Sequence, residues 1–100
     1  MMISNPEYWE EVSRAGSIGE ILYSNVYSIY QKDLYEQTLI ESAKARDSLK
    51  VGSYIPKLLY VEALAKGRLY GIDSLAMDLN LILHNYTESD IAPIIEAQLQ

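Results

Sequence analysis

The sequence predicts an all-α fold, a single-domain bundle of five or six short helices over residues 1–100. Three observations lead there. Apolar residues recur at three- and four-residue spacing along most of the chain. Capping signals punctuate that pattern at intervals of one short helix. The residues on the periodic faces are mainly Leu, Ile, Ala and Met rather than the Val and Thr of strands. Hydrophobic residues make up 49% of the 100 and charged residues 22%, the balance of a folded domain rather than a disordered chain.

The elements follow in order. Asn5-Pro6-Glu7 reads as an N-cap, a proline at the first helical position and an acid on the positive end of the helix dipole. That helix is expected to stop at Gly16, a natural residue for the position after a helix. Ser17-Ile18-Gly19-Glu20 reads as a capping box that opens a second helix. On the second helix Ile18, Leu22, Val26 and Ile29 form an aliphatic stripe, and Tyr23, Tyr27, Tyr30 and Leu34 form another beside it. A helix apolar over so much of its circumference either lies at the centre of a bundle or offers one stripe to a partner.

Gln31-Lys32-Asp33 predicts a kink or restart, with Asp33 and Glu36 as a second N-terminal box. The next helix is amphipathic, with Leu39, Ile40 and Ala43 on its apolar side and Glu36, Glu41, Lys44, Asp47 and Lys50 on a solvated side, ending near Gly52. Ser53-Tyr54-Ile55-Pro56 opens a fourth helix that runs to Gly67, followed by a loop from Gly67 to Asp73. Residues 75–83 fit a strand by alternation and a helix by face, and their Leu, Met and Ala content favours helix. A polar turn over Asn85 to Asp90 leads to a last short helix starting near Ala92, ahead of Pro93.

The net charge is −6, unevenly spread. Seven of the eight basic residues lie between Lys32 and Arg68. The segment from Leu69 onward holds the five acids Asp73, Asp78, Glu88, Asp90 and Glu96 and no Lys or Arg. Such ends repel phosphate backbones and steer basic partners inward, so no nucleic acid is expected as a ligand. The candidate basic residues Lys44, Arg46, Lys50, Lys57, Lys66 and Arg68 interleave with Glu41, Asp47 and Glu62, which points the same way. There is no cysteine, hence no thiolate chemistry. Met1 to Tyr8 lacks the basic start and apolar run of a signal peptide. No stretch reaches the roughly 18 apolar residues of a membrane span, so a cytoplasmic location without a membrane partner is expected.

Residues able to carry catalysis are few. His84 is the sole histidine, and nothing near it in sequence completes a triad. Asp78 precedes it at a spacing that puts the two on different helix faces, so no metal site is expected. Glu7, Glu10 and Glu11 crowd a first helical turn, where acids are favoured for electrostatic reasons alone. No phosphate-binding or dinucleotide motif is present, and no catalytic residue, cofactor or metal is expected.

The remaining signal is aromatic. The chain holds nine tyrosines and no phenylalanine. Tyrosine suits a boundary, with a ring to bury and a hydroxyl that wants a partner, and it is enriched at protein interfaces. Tyr23, Tyr27 and Tyr30 are either the flank of the core or a contact surface. With the acids Asp73, Asp78, Glu88 and Asp90 they are the candidate partner-binding residues.

From Tyr35-Glu36 onward, through Leu39-Ile40-Glu41-Ser42-Ala43, the run Leu58 to Ala65 and Asp73-Ser74-Leu75-Ala76 with Leu79, the layout resembles small all-α immunity proteins of bacterial toxin systems. The resemblance implies a helical inhibitor that binds a cognate toxin delivered by type VI or contact-dependent systems. It transfers no individual site residue. The partner then expected is a toxin or enzyme with a basic surface, and self-association stays open. Ala63 to Tyr70 is also similar to the turn of a tetratricopeptide unit, which gives a secretion or assembly chaperone as the alternative. A small carboxylate-dependent enzyme is a third reading.

Overall fold

The structure, a computed structural model, describes residues 6–50 and 52–99, with side chains from residue 18 onward. Among the described residues it is all-helical, with five helices in the order α1 Pro6–Gln31, α2 Tyr35–Leu49, α3 Tyr54–Tyr70, α4 Ile72–Asn85 and α5 Ala92–Leu99. Residues 75–83 are helical. The expected N-cap at Asn5 and the segment Met1 to Asn5 lie outside the described residues, as do the side chains of Glu7, Glu10, Glu11 and Ser17.

Two of the expected breaks are absent. The first two predicted helices are one, α1, which runs straight through Gly16 and Gly19. A glycine inside a helix costs about 1 kcal/mol relative to alanine but does not end it. Gly19 serves packing instead. A methyl group there would stand 2.6 Å from Cδ2 of Tyr54, so the missing side chain lets the Tyr54 ring lie against the α1 backbone. Likewise α3 continues past Gly67 to Tyr70, and the predicted seven-residue loop reduces to Gly71 alone. Gly71 has φ 110°, a region closed to most side chains. Its N–H bonds the Gly67 carbonyl at 3.0 Å and its own carbonyl accepts from Leu75 at 3.3 Å, so one residue ends α3 and opens α4.

The restart at Lys32 to Leu34 is observed, but Asp33 does not cap α2. Its φ is 65°, a left-handed conformation that Asp tolerates better than most residues, and its carboxylate accepts the Tyr35 hydroxyl at 2.8 Å. At the other end of α2, Lys50 sits at φ 66°, ψ −63°, a rare and strained γ-turn conformation for a residue with a side chain.

Helix α3 is the axis of the fold. Leu58 and Val61 are fully buried in a cluster with Val26 of α1 and Ala45 of α2, flanked by Leu22, Leu49 and the tyrosines of α1. On another side of α3, Tyr60 and Ala63 pack with Leu79 and Ile82 of α4 and Ile91 and Ile95 around α5. The core is therefore two clusters sharing one helix.

The α2–α3 seam is polar. Helix α2 buries Thr38, Ser42 and Ala45, not the Leu39, Ile40 and Ala43 side expected from the sequence; Ile40 is half exposed. The Thr38 hydroxyl donates to the Leu34 carbonyl at 2.8 Å. Ser42 donates to Oε2 of Glu62 at 2.7 Å and lies 3.2 Å from the Leu58 carbonyl oxygen. Arg46 closes the network with Nε 2.5 Å from Glu62 Oε2 and Nη2 3.1 Å from Oε1, the two-pronged pairing that guanidinium geometry favours. Small residues let α2 approach closely enough for side chains to reach the α3 backbone.

Two stability measurements test this architecture. Leu58→Ala removes a fully buried side chain from the shared helix and is expected to cost about 3 kcal/mol in denaturant unfolding. Lys50→Gly relieves the strained conformation and is expected to stabilise the fold by roughly 1 kcal/mol; a loss of stability on that change would refute the strain assigned to Lys50.

Candidate functional site

Tyr23, Tyr27 and Tyr30 project from one flank of α1 toward α3. Each is half-buried, one edge on the Val26–Ala45–Leu58–Val61 cluster and the other accessible. The stripe is thus both core flank and surface. The aliphatic stripe beside it is only partly buried: Val26 is 1% exposed, whereas Ile18 is 41% exposed and Ile21 at its margin 64%. Val26 faces the Ala45–Leu58–Val61 cluster, while Ile18 and Ile21 are turned to solvent on either side of Gly19 and Glu20, which meet Tyr54.

Packing extends the tyrosine stripe into a row that sequence spacing could not show. Tyr54 of α3 lies 6.0 Å from Tyr23, Tyr23 6.0 Å from Tyr27, Tyr27 6.1 Å from Tyr30, and Tyr30 5.6 Å from Tyr35 of α2. All four pairs are tilted by 40–55°, within the range in which aromatic quadrupoles attract. A cation stands at each end: Lys57 Nζ lies 4.7 Å from the Tyr54 ring centre and the Arg68 guanidinium 6.0 Å from that of Tyr35. The Tyr54 hydroxyl donates to Glu20 and the Tyr35 hydroxyl to Asp33. Buried Tyr60 of α3 donates to Gln98 of α5 at 2.9 Å. Burial lifts the Tyr23 and Tyr60 phenols above the ordinary tyrosine range. The carboxylate acceptors Asp33 and Glu20 do the same for Tyr35 and Tyr54. The hydroxyls of Tyr23, Tyr35, Tyr54 and Tyr60 are therefore neutral at physiological pH.

The candidate acids do not assemble into one patch. Asp73 is exposed in the first turn of α4, where the helix dipole favours it. Glu88 and Asp90 are exposed in the turn past the far end, about 20 Å away along the helix. Asp78 faces α3 and pairs with Lys66 at 3.6 Å. It lines a hollow with Leu59, Glu62 and Ala63, a different face of α3 from the Leu58–Val61 side beneath the tyrosines. Tyr86 borders this hollow and two neighbours, one walled by Arg46, Asp47 and Lys50 of α2 and one by Glu88 and Asp90. Together they form a trough with α2 and α4 as sides and Ile55, Leu59, Glu62 and Lys66 of α3 as floor.

The six candidate basic residues are engaged. Lys44 pairs with Glu41, Arg46 with Glu62, Lys50 with Asp47 and Lys66 with Asp78, while Lys57 and Arg68 stand over tyrosines. His84 is exposed in the last turn of α4. Among the described residues no three His, Asp or Glu side chains stand close enough to hold a metal ion, and no helix is long and apolar enough to cross a membrane. Sequence reasoning missed Tyr35 and Tyr54 as members of the aromatic face, and Glu62 as the hub of the α2–α3 seam. The available signal for Glu62 was a lone acid inside the apolar run from Leu58 to Ala65. The chain matches no protein-family model, no curated protein and no solved structure.

The raised phenol values fix the sign of an alkaline titration. A group whose folded pKa exceeds its unfolded value contributes fully below the unfolded value, near pH 10 for tyrosine, and its contribution is lost as pH rises through the folded value. The thermal midpoint is expected to hold up to about pH 10 and fall beyond it. Ultraviolet titration of phenolate should lag, in the folded chain, behind the same chain in urea. Coincident titration curves would contradict the buried positions of Tyr23 and Tyr60.

Proposed function

We propose that this chain is a protein-binding module that acts as an inhibitor, covering the working surface of a toxin or other enzyme in the manner of an immunity protein. The observation that carries this reading is the row of five tyrosines from three helices. The three α1 rings are held on one side by the core and accessible on the other, and Tyr54 and Tyr35 extend them at the two ends. Such a surface offers large, rigid contact area, so little side-chain freedom is lost on binding. The acid surplus adds long-range attraction for a basic partner, which raises the encounter rate more than the final affinity.

A second reading, a chaperone that cradles a client segment, draws on the α2–α4 trough and its central Tyr86. The two readings place the partner on different faces of α3, so they separate by mutation. Affinity capture from the host followed by reconstitution with the purified partner gives the assay. If the inhibitor reading holds, Tyr27→Ala weakens the complex by about 30-fold, as expected of an aromatic hot spot, and Leu81→Glu in the trough wall leaves it unchanged. The reverse pattern selects the chaperone reading. Wild-type affinity for the alanine variants of Tyr23, Tyr27 and Tyr30 alike would remove the tyrosine row as the contact.

A further inference from the structure

We propose that the outward face of α4 pairs with the same face of a second copy of this chain, antiparallel and about a two-fold axis. The inference does not rest on the tyrosine row. Leu75, Leu79 and Ile82 turn one side of α4 into the cluster shared with α3 and α5. The opposite side is uncovered. Asp73, Met77, Asn80 and His84 follow one another there at alternating four- and three-residue steps, and all are exposed. That is the seam spacing of a helix that packs on another helix. Leu81 flanks the seam. Met77 is 67% and Leu81 56% exposed, so two large apolar side chains one turn apart stand in water on a helix whose other side already supplies the core.

The polar residues of the seam select the occupant. Asp73 lies in the first turn of α4 and His84 in the last, about 16 Å apart along the axis. A two-fold rotation about the middle of the seam brings Asp73 of each copy to His84 of the other, and Met77 beside the other copy's Asn80 and Leu81. An imidazole N–H donates to a carboxylate in either protonation state, and a protonated ring adds opposite charge. A parallel pairing would instead set Asp73 on Asp73 and His84 on His84, which loses both contacts. The helix dipoles favour the antiparallel arrangement as well. Asn80 spends a side-chain N–H on the Ala76 carbonyl at 2.9 Å, and a polar residue at a seam position fixes register at a cost in stability.

Charge elsewhere permits this contact. Asp78, the other acid of α4, faces α3 and pairs with Lys66, so each outward face carries one acid and one imidazole. The net charge of −6 on each copy repels at longer range and is screened beyond about 8 Å at physiological ionic strength. One helix pair buries less than the roughly 1,200 Å² of a stable interface, so the dimer is weak and concentration-dependent. Among the described residues α4 packs on α3 and α5 and not on α1, so the pairing does not draw on the α1 tyrosines.

The test is sedimentation equilibrium of the full 100-residue chain from micromolar to millimolar concentration, with circular dichroism to check that each variant stays helical. The wild-type chain is expected to move toward twice its 11.3 kDa mass. Met77→Glu, on an exposed position, should weaken association at least tenfold with no loss of helix. His84→Asp sets acid against acid at both contacts and Asp73→His sets imidazole against imidazole, so each alone should weaken association by a similar factor. Mixed in equal amounts, these two variants should pair with one another at close to wild-type strength, because each contact again opposes a carboxylate and an imidazole. A wild-type monomer at millimolar concentration, a dimer untouched by Met77→Glu, or no recovery in the mixture would overturn the proposal and leave this face to a different protein or to solvent.

Discussion

A carboxylate placed at the centre of a helical layer must find hydrogen-bond donors there, and Glu62 finds three, one from Ser42 and two from Arg46. That requirement sets the register and spacing of α2 on α3. Larger apolar residues at Thr38 or Ser42 would push the helices apart and leave Glu62 buried without partners, which is far costlier than a lost surface ion pair. Once α2 is seated, Ala45 and Leu49 close on Leu58 and Val61 from one side and α1 closes from the other. The tyrosines of α1 are then carried against α3, and Tyr54 slides over Gly19 to extend their row. The polar seam is upstream of the aromatic face in this sense: the face exists because α1, α2 and α3 are held at one fixed spacing.

The same helix gives the molecule two unlike sides. Beneath α1 it presents Leu58 and Val61 to the tyrosines. Toward the α2–α4 trough it presents Glu62, Lys66, Ile55 and Leu59, a mixed floor in which charge is paired but not saturated. A protein of this size has room for one core, and placing that core on both sides of α3 leaves two concave or half-buried surfaces available for recognition. The first is rigid and aromatic. The second is more polar and is bordered by the Lys66–Asp78 ion pair.

The legible part of this structure in the sequence was what depends on short-range chemistry. Helix type, the restart near Asp33, the start of α3 ahead of Pro56 and the start of α5 near Ala92 all follow from capping, proline and periodicity. The misjudged breaks at Gly16 and Gly67 share one cause, that a glycine can end a helix or admit a neighbour, and only the neighbour decides. Gly19 reads as part of a capping box until Tyr54 is in place against it. The stripe of Tyr23, Tyr27 and Tyr30 was visible because all three residues ride one helix. Tyr35 and Tyr54 join it through tertiary packing, for which a single sequence carries no spacing signal. The buried face of α2 was hidden for a related reason: Thr38, Ser42 and Arg46 are polar, and they face inward only because Glu62 waits on the other helix.

The position of α3 also bears on how quickly the chain reaches this state. Among the described residues each helix packs on its neighbours in the chain, and the pairings that skip an element, α1 against α3 and the side-chain contacts of α3 with α5, skip only one. Few long loops must close before contacts begin to reward the search, so the barrier is low in chain entropy. Helical domains with such local wiring fold on the order of microseconds to milliseconds. A chain of this build would reach its working form almost as soon as it is made, and its supply would be set by synthesis rather than by folding.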